Sequence, residues 1–346
     1  MKKVILLLGP TCVGKTAVSL LLANTLHTEI ISADSMQIYR HMDIGTAKPS
    51  VEEQRLIRHH MVDIVEPWDF YSTGQYIEDV QSVISALHNQ KKIPLVVGGT
   101  GLYIKAMTRG LFQGPSADWE MRDTLLDEER AKEGSLYERL KSLDPAAALK
   151  IMPADTRRII RALEVCMKSD RSLSEMHRTS TNPLPYEFIK IGITRERKEL
   201  YSMIDARIDA MIAQGLLEEV TKVVKMIEDT ETRRCGDAGT RGNGPGFALP
   251  CPFPVSPSPR VPVSSFTSMQ AIGYKEIAMH LNGELGINEA INLIKQRSRN
   301  YAKRQFTWFK KEEGIAWVDI SGVLDPNEIF RKIKETVPFP QLHAQA

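Results

Sequence analysis

Gly9-Pro10-Thr11-Cys12-Val13-Gly14-Lys15-Thr16 is the stretch that decides the fold. It fits G-x-x-x-x-G-K-[ST] in full, with an apolar run before it (residues 4–8) and an amphipathic stretch after it (15–26). That context is a strand, a phosphate loop and a helix. The loop's backbone N–H groups fold around a polyphosphate at the positive end of the helix. Lys15 adds a point charge, and the Thr16 hydroxyl is the expected ligand of a magnesium ion. The alternative, a glycine-rich turn that binds nothing, leaves the flanking strand and helix unexplained. All eight residues, Gly9, Pro10, Thr11, Cys12, Val13, Gly14, Lys15 and Thr16, are therefore candidate diphosphate or nucleotide contacts.

Further short apolar runs bounded by turn or helix signals follow at 29–33, 94–97 and 188–193, with a last strand at 315–319. Helical stretches lie between them at 74–89, 102–108 and 196–227, and a long one closes the core at 287–311. Such alternation predicts an α/β fold, a P-loop NTPase-like parallel sheet covered by helices. Residues 113–186 break the pattern and read as helices alone (122–132, 136–142, 145–151 and 155–168, the last capped by Asp155). The expected organisation is a discontinuous catalytic core, 1–112 and 187–346, carrying an inserted all-helical domain at 113–186. Residues 229–264 fit neither pattern. Seven prolines and five glycines among 36 residues cannot build a packed core, so this segment reads as a disordered insertion within the core.

The 346 residues carry 45 Lys+Arg against 43 Asp+Glu, a net charge of +2. That balance excludes a protein that coats nucleic acid indiscriminately, but a whole-chain sum is blind to a local basic site. The four cysteines, Cys12, Cys166, Cys235 and Cys251, form no CxxC pair and have no histidine at finger spacing. They fit a reducing compartment better than a secreted one, with Cys235 and Cys251 read as free thiols of the Pro/Gly-rich segment. The apolar start is too short for a signal peptide, and no run approaches the ~20 residues of a membrane span. The expectation is a soluble, cytoplasmic protein.

The loop alone leaves the reaction open. A GTPase would show N-K-x-D, which is absent, and a hydrolytic ATPase would show an apolar strand ending in an acid. The third strand ends instead in Val96-Val97-Gly98-Gly99-Thr100-Gly101. The nearest acid is Asp34, after the second strand. Ligands of open α/β sheets sit at the carboxyl ends of the strands, so Asp34, Thr100 and the phosphate loop should share one rim. Asp34 could cap a turn, hold magnesium or act as a general base.

Several long motifs, in order, resemble the bacterial tRNA dimethylallyltransferases: GPTCVGKT, DSMQIYRHMDIGTAKP (34–49), HHMVDIVEP (59–67), PLVVGGTGLY (94–103), RRIIRALEV (157–165), MQAIGYKE (269–276) and RNYAKRQFTWF (299–309). The resemblance runs from end to end except in the Pro/Gly-rich segment. It implies transfer of a dimethylallyl group from its diphosphate to the exocyclic N6 amine of the adenosine just 3′ of the tRNA anticodon, with Mg2+ and release of diphosphate. It also explains the missing acid, because a prenyl diphosphate needs its leaving charge neutralised and no water activated. Carried over residue by residue, it makes Asp34 the base, Thr100 a hydrogen-bonding partner near the reacting atoms, and Arg207 the arginine on the diphosphate. Without the family, Arg207 reads as a solvated helix residue. Two positions depart from the family pattern: His41 stands where glycine is usual, and Met203 where an arginine often precedes Arg207 by four residues.

Residues 295–311 hold seven basic residues and no acid, interleaved with Tyr301, Phe306, Trp308 and Phe309; removing those charges from the net +2 leaves the remainder at −5. Helical spacing makes the aromatics read as packing, and Arg299, Lys303 and Arg304 as phosphate contacts. Arg157, Arg158 and Arg161 form a second cluster on the insertion. The resemblance adds Asp34, Ser35, Met36, Gln37, Thr100, Arg122, Gln270 and Lys275 as tRNA contacts. The partners it implies are a tRNA anticodon stem-loop and dimethylallyl diphosphate, bound by a monomer away from any membrane. The competing readings are a P-loop kinase of a small metabolite and an adenylate prenyltransferase.

Overall fold

A computed structural model describes residues 1–112, 114–169, 171–179, 181–237 and 263–337. The chain opens with β1 (Lys3–Leu8), α1 (Lys15–Thr25), β2 (Ile30–Ala33), α2 (Val51–Leu56), β3 (His59–His60), α3 (Thr73–Asn89), β4 (Leu95–Gly98) and α4 (Gly101–Arg109). The inserted region follows with β5 (Leu111–Phe112), α5 (Trp119–Ala131), α6 (Ser135–Leu143), α7 (Pro145–Ala148), α8 (Thr156–Lys168), α9 (Leu173–Thr179) and β6 (Thr181–Asn182). The core resumes with β7 (Glu187–Thr194), α10 (Arg197–Ala213), α11 (Leu216–Asp237), two 3-10 turns (Val263–Ser265 and Ser268–Gln270), α12 (Tyr274–Leu281), α13 (Ile287–Phe309), β8 (Ile315–Asp319) and α14 (Pro326–Thr336).

Six strands form one sheet in the order β3-β2-β4-β1-β7-β8, every pair parallel. β1 lies between β4 and β7, pairing Leu8 with Gly98 on one side and Gly192 on the other. Val4 to Leu8 are all fully buried, as expected of a strand covered on both faces. This register brings the C-terminal ends of β1, β2 and β4 to one rim. The two-residue β3 is too short to show a pattern in the sequence. The stretch expected as one helix over 196–227 is two, because Gly215 between them adopts φ 100°, a left-handed turn that stops the first helix.

Compact units divide at Lys105–Leu184 on one side and the two flanking core segments on the other. The smaller unit is not purely helical, since β5 and β6 pair as a short antiparallel ribbon, Leu111 opposite Asn182. Its core joins Leu125, Leu136, Leu140, Ile159 and Leu163. Asp155 caps α8 by accepting the Arg158 N–H at 3.2 Å, as its position in the sequence implies. α11 runs on to Asp237, which corrects a disordered insertion beginning at 229. The prolines start only at 245, and the preceding Glu/Thr/Arg-rich residues continue the helix. Residues 238–262, including Cys251, lie outside the described residues. No helix among the described residues is long and apolar enough to cross a membrane.

Candidate active site

The phosphate loop bends between β1 and α1 through two left-handed residues, Cys12 at φ 63° and Gly14 at φ 102°, the latter opening α1. A glycine takes that conformation freely, and a cysteine takes it at some cost. Lys15 folds back over the loop, its Nζ donating to the carbonyls of Gly9 (2.9 Å) and Pro10 (2.7 Å). Desolvation lowers its pKa from 10.5 to about 8; Asp34 and Cys12 oppose that shift and Arg207 adds to it. Loop lysine, acid and arginine therefore sense one another's charge.

They line a single cavity of about 410 Å³. Its wall takes Thr11, Cys12, Gly14, Lys15 and Thr16 from the loop, Asp34 and Gln37 from beyond β2, and Gly98 and Gly99 from the end of β4. Met203 and Arg207 come from α10, and Tyr301 and Gln305 from α13; Thr46, Ala47, Pro49, Glu53 and His59 continue the wall. Arg207 donates from Nη1 to the Cys12 sulfur at 3.4 Å, so it is no solvated helix arginine. Met203, one turn earlier on α10, fills the same wall where the family often has a second arginine.

Asp34 does cap a turn: its Oδ1 accepts the Met36 N–H at 2.8 Å and the Gln37 N–H at 3.4 Å. Capping fixes the carboxylate's orientation without excluding a chemical role for Oδ2. Thr100 is not part of the cavity lining; its hydroxyl accepts the Ser35 N–H at 3.1 Å, tying β4 to the turn that carries Asp34. The Tyr301 phenol bonds with Thr100 and Gln305, and burial, with Asp34 adding, pushes its pKa well above the usual value. Gln37 is structural as well as a wall residue. Its amide receives the Ser32 hydroxyl at 2.9 Å and donates to the carbonyls of Thr46 (3.3 Å) and Ala47 (3.1 Å).

Two side chains that sequence reasoning passed over hold this site in shape. Gln305, 6% exposed, accepts the Thr11 N–H through Oε1 (2.9 Å) and donates through Nε2 to the Gly99 carbonyl (3.0 Å). It braces phosphate loop and β4 against α13 with one amide. Glu219 on α11 accepts three successive backbone N–H groups, from Asp43 (2.9 Å), Ile44 (2.8 Å) and Gly45 (3.0 Å), and also the Tyr274 hydroxyl. It clasps the loop after Asp34 onto the helical layer. In that loop His41 sits at φ 65°, which explains the family's usual glycine and marks a strained position here.

The basic residues divide. Along α13, Lys295 pairs with Asp209 (2.6 Å), Arg297 with the buried Glu276, and Arg299 with Asp205 (2.5 Å). This half of the strip ties α13 to α10 and α12, so Arg299 is held by an acid of α10. Lys303, Arg304, Lys310 and Lys311 lie exposed at the other end. In the inserted unit the fully buried Glu164 takes a two-pronged grip from Arg122 (2.9 and 2.8 Å), a bond from Arg161, and the Asp118 N–H (2.6 Å). Burial would raise the Glu164 carboxyl, but these donors outweigh it and hold it below its ordinary value. Arg122 and Arg161 are thus pins of α5 and α8, whereas Arg157 and Arg158 are exposed on α8. Gln270 is exposed, and Lys275 is half-buried on α12.

A parallel sheet with a lysine-bearing phosphate loop at its C-terminal rim defines a P-loop α/β protein, and an acid and an arginine share the cavity wall with that loop. Residues 37–312 match the family described as IPP transferase. The tRNA dimethylallyltransferase of Thermodesulfovibrio yellowstonii is 52% identical, covering 93% of both chains, and that of Syntrophobacter fumaroxidans 40% identical, covering 98% of this chain and 89% of the relative. Among solved structures, the full-length tRNA isopentenylpyrophosphate transferase of Bacillus halodurans is 34% identical with a TM-score of 0.63, covering 97% of this chain and 98% of that one. A eukaryotic dimethylallyltransferase acting on tRNA gives a TM-score of 0.72 at 26% identity, covering 93% and 75%. The chain belongs to the IPP transferase family.

Proposed function

We propose that this protein transfers a dimethylallyl group from dimethylallyl diphosphate to the N6 amine of the adenosine immediately 3′ of the tRNA anticodon, releasing diphosphate. The observation that carries the reading is the shared wall of Lys15, Asp34 and Arg207 in one cavity. Membership of the family supports the substrates and disfavours a kinase or an adenylate prenyltransferase.

The diphosphate oxygens accept the loop N–H groups and face Lys15 and Arg207, whose fixed charges neutralise the leaving group. Thr16, exposed on the first turn of α1, is the residue that would hold magnesium. Among the described residues no cluster of three His, Cys, Asp or Glu could cage a metal, and one hydroxyl completed by phosphate oxygens and water fits the way Mg2+ is bound. When bound, that ion supplies further charge neutralisation at the diphosphate. As the N6 lone pair forms its bond to C1 of the dimethylallyl group, the C1–O bond breaks and its electrons leave with the diphosphate. Asp34 Oδ2 takes the amine proton, and Oδ1, pinned by two N–H groups, keeps the carboxylate aimed. The adenosine leaves its stack to reach this cavity. On this reading Ser35 to Gln37, Arg157, Arg158, Gln270, Lys275, Lys303 and Arg304 contact the RNA, and the protein works as a cytoplasmic monomer.

The test is incubation of the purified chain with labelled dimethylallyl diphosphate, Mg2+ and unmodified tRNA, followed by mapping of the label. Label in the adenosine 3′ of the anticodon is expected; none in tRNA sinks the reading. Asp34→Ala should lower turnover by about two to four decades with tRNA affinity little changed, the usual size of a general-base effect. Wild-type turnover in that variant would remove Asp34 from the mechanism.

A further inference from the structure

Arg207 is a guanidinium without a carboxylate. The acids on either side of it along α10 are taken by α13, Asp205 by Arg299 (2.5 Å) and Asp209 by Lys295 (2.6 Å). Among the described residues no acid forms an ion pair with Arg207. Its hydrogen bond runs instead to a residue 195 positions away, from Nη1 to the Cys12 sulfur at 3.4 Å.

The sulfur is fixed from the side of the phosphate loop. Cys12, at φ 63°, is one of the left-handed residues that bend the loop, and it lines the cavity together with Arg207. Thr11, the residue before it, is braced through its N–H by Gln305 (2.9 Å), and its hydroxyl lies 4.0 Å from the same sulfur. The contact therefore joins the loop to α10 beside the seat proposed for the diphosphate.

The kind of acceptor decides what the contact does. A carboxylate in that position would cancel the arginine's charge and compete with the diphosphate for its N–H groups. A thiol sulfur is a weak acceptor. It orients the guanidinium, leaves the charge whole and gives it up readily when phosphate oxygens arrive. Without such a partner a long arginine side chain samples several rotamers, and ordering it opposes binding.

We propose that Cys12 is a positioning residue for Arg207: its sulfur holds the guanidinium against the phosphate loop in the free protein, ready for the diphosphate. The inference rests on the reading of Arg207 as a diphosphate contact. Once bound, the diphosphate itself orients Arg207, so the thiol acts on binding and not on turnover.

The test is a calorimetric titration of inorganic pyrophosphate, with Mg2+, into the wild type, Cys12→Ala, Cys12→Ser, Arg207→Gln and the Cys12→Ala/Arg207→Gln double variant. Cys12→Ala should raise the Kd about fivefold, the size of one net hydrogen bond. It should raise the KM for dimethylallyl diphosphate by a similar factor while kcat holds. Cys12→Ser keeps an acceptor and should recover most of the loss. Both variants keep a Cβ at φ 63°, so a loss that came from loop strain would fall on both alike. Arg207→Gln should lose affinity and kcat together, and in that background Cys12→Ala should cost nothing further. A wild-type Kd in Cys12→Ala, equal losses in Cys12→Ala and Cys12→Ser, or a full Cys12→Ala penalty without Arg207 overturns the positioning role and leaves the diphosphate reading intact. A wild type that fails to bind pyrophosphate, or a wild-type Kd in Arg207→Gln, overturns that reading and the inference with it.

Discussion

Lys15 is asked to be a cation in a site that desolvates it. Its pKa of about 8 puts that conflict within working range. Diphosphate binds the ammonium form, so binding draws a proton onto Lys15 wherever the free protein has lost it. Affinity should hold below pH 8 and fall up to tenfold per pH unit above it, read as the KM for dimethylallyl diphosphate or the Kd of inorganic pyrophosphate. Stability should move the other way. The unfolded lysine keeps its proton up to the ordinary 10.5, so between pH 8 and 10.5 the unfolded state binds more protons and stability rises with pH. Lys15→Met should flatten both trends; a pH-independent pyrophosphate Kd from 7.5 to 9.5 in the wild type would contradict the assignment. Lys15 and Asp34 were legible in the sequence, one from a motif with its own mechanics and the other from the rim rule. Gln305 and Glu219 were not. A buried polar side chain looks like any surface Gln or Glu until the fold supplies its partners, and those lie 206 and 294 residues from Gln305 and 55 to 176 residues from Glu219 in the chain.

The loop from Asp34 to Pro49 has little regular structure and is built from side-chain ties. Lys48, 3% exposed at its side chain, reaches Asp43 (2.5 Å), Asp63 (2.6 Å) and the Tyr39 carbonyl (2.9 Å). Gln37 and Glu219 supply the rest. Because Glu219 gathers three adjacent N–H groups on an ionised carboxylate, Glu219→Gln loses charge-assisted bonds and turns an amide donor towards donors. The expected cost is about 1–3 kcal/mol of stability in denaturant titration, with a raised KM for tRNA as the loop slackens. Unchanged stability would mean that the loop is held without the clasp. The elements themselves show where sequence reading works. β1, β2 and β4 announce themselves as short buried runs because both faces are covered, whereas β7 and the edge strand β8 are only partly buried. β3 has two histidines and no pattern to read. The α10–α11 break hides in a helical composition and depends on one left-handed glycine. At α11 the reading erred in the other direction, because averaging composition over 36 residues spread the prolines' signal upstream into a helix.

At the scale of the whole molecule the charges are nearly balanced, and what matters is which of them are committed. A sum over the strip counts seven cations, but Lys295, Arg297 and Arg299 hold α13 to its neighbours, while Lys303, Arg304 and Lys310 are exposed at its other end. That arrangement predicts a shallower salt dependence of RNA binding than the strip's composition suggests. Each phosphate neutralised in a single-stranded loop contributes about 0.7 to the slope of log K against log salt. Lys303→Ala and Arg304→Ala should each lower the slope by about that amount and weaken binding to all stem-loops alike, since phosphate contacts carry no sequence information. Arg299→Ala should act differently. It releases Asp205 on the helix that carries Arg207, so it should lower the unfolding midpoint and raise the KM for dimethylallyl diphosphate while leaving the salt slope nearly untouched. Titrations of the three variants from 50 to 300 mM salt separate the two classes. An Arg299→Ala slope reduced as much as that of Lys303→Ala would show that the Asp205 pair opens when RNA arrives, and that the whole strip, not its exposed end, is the RNA-binding surface.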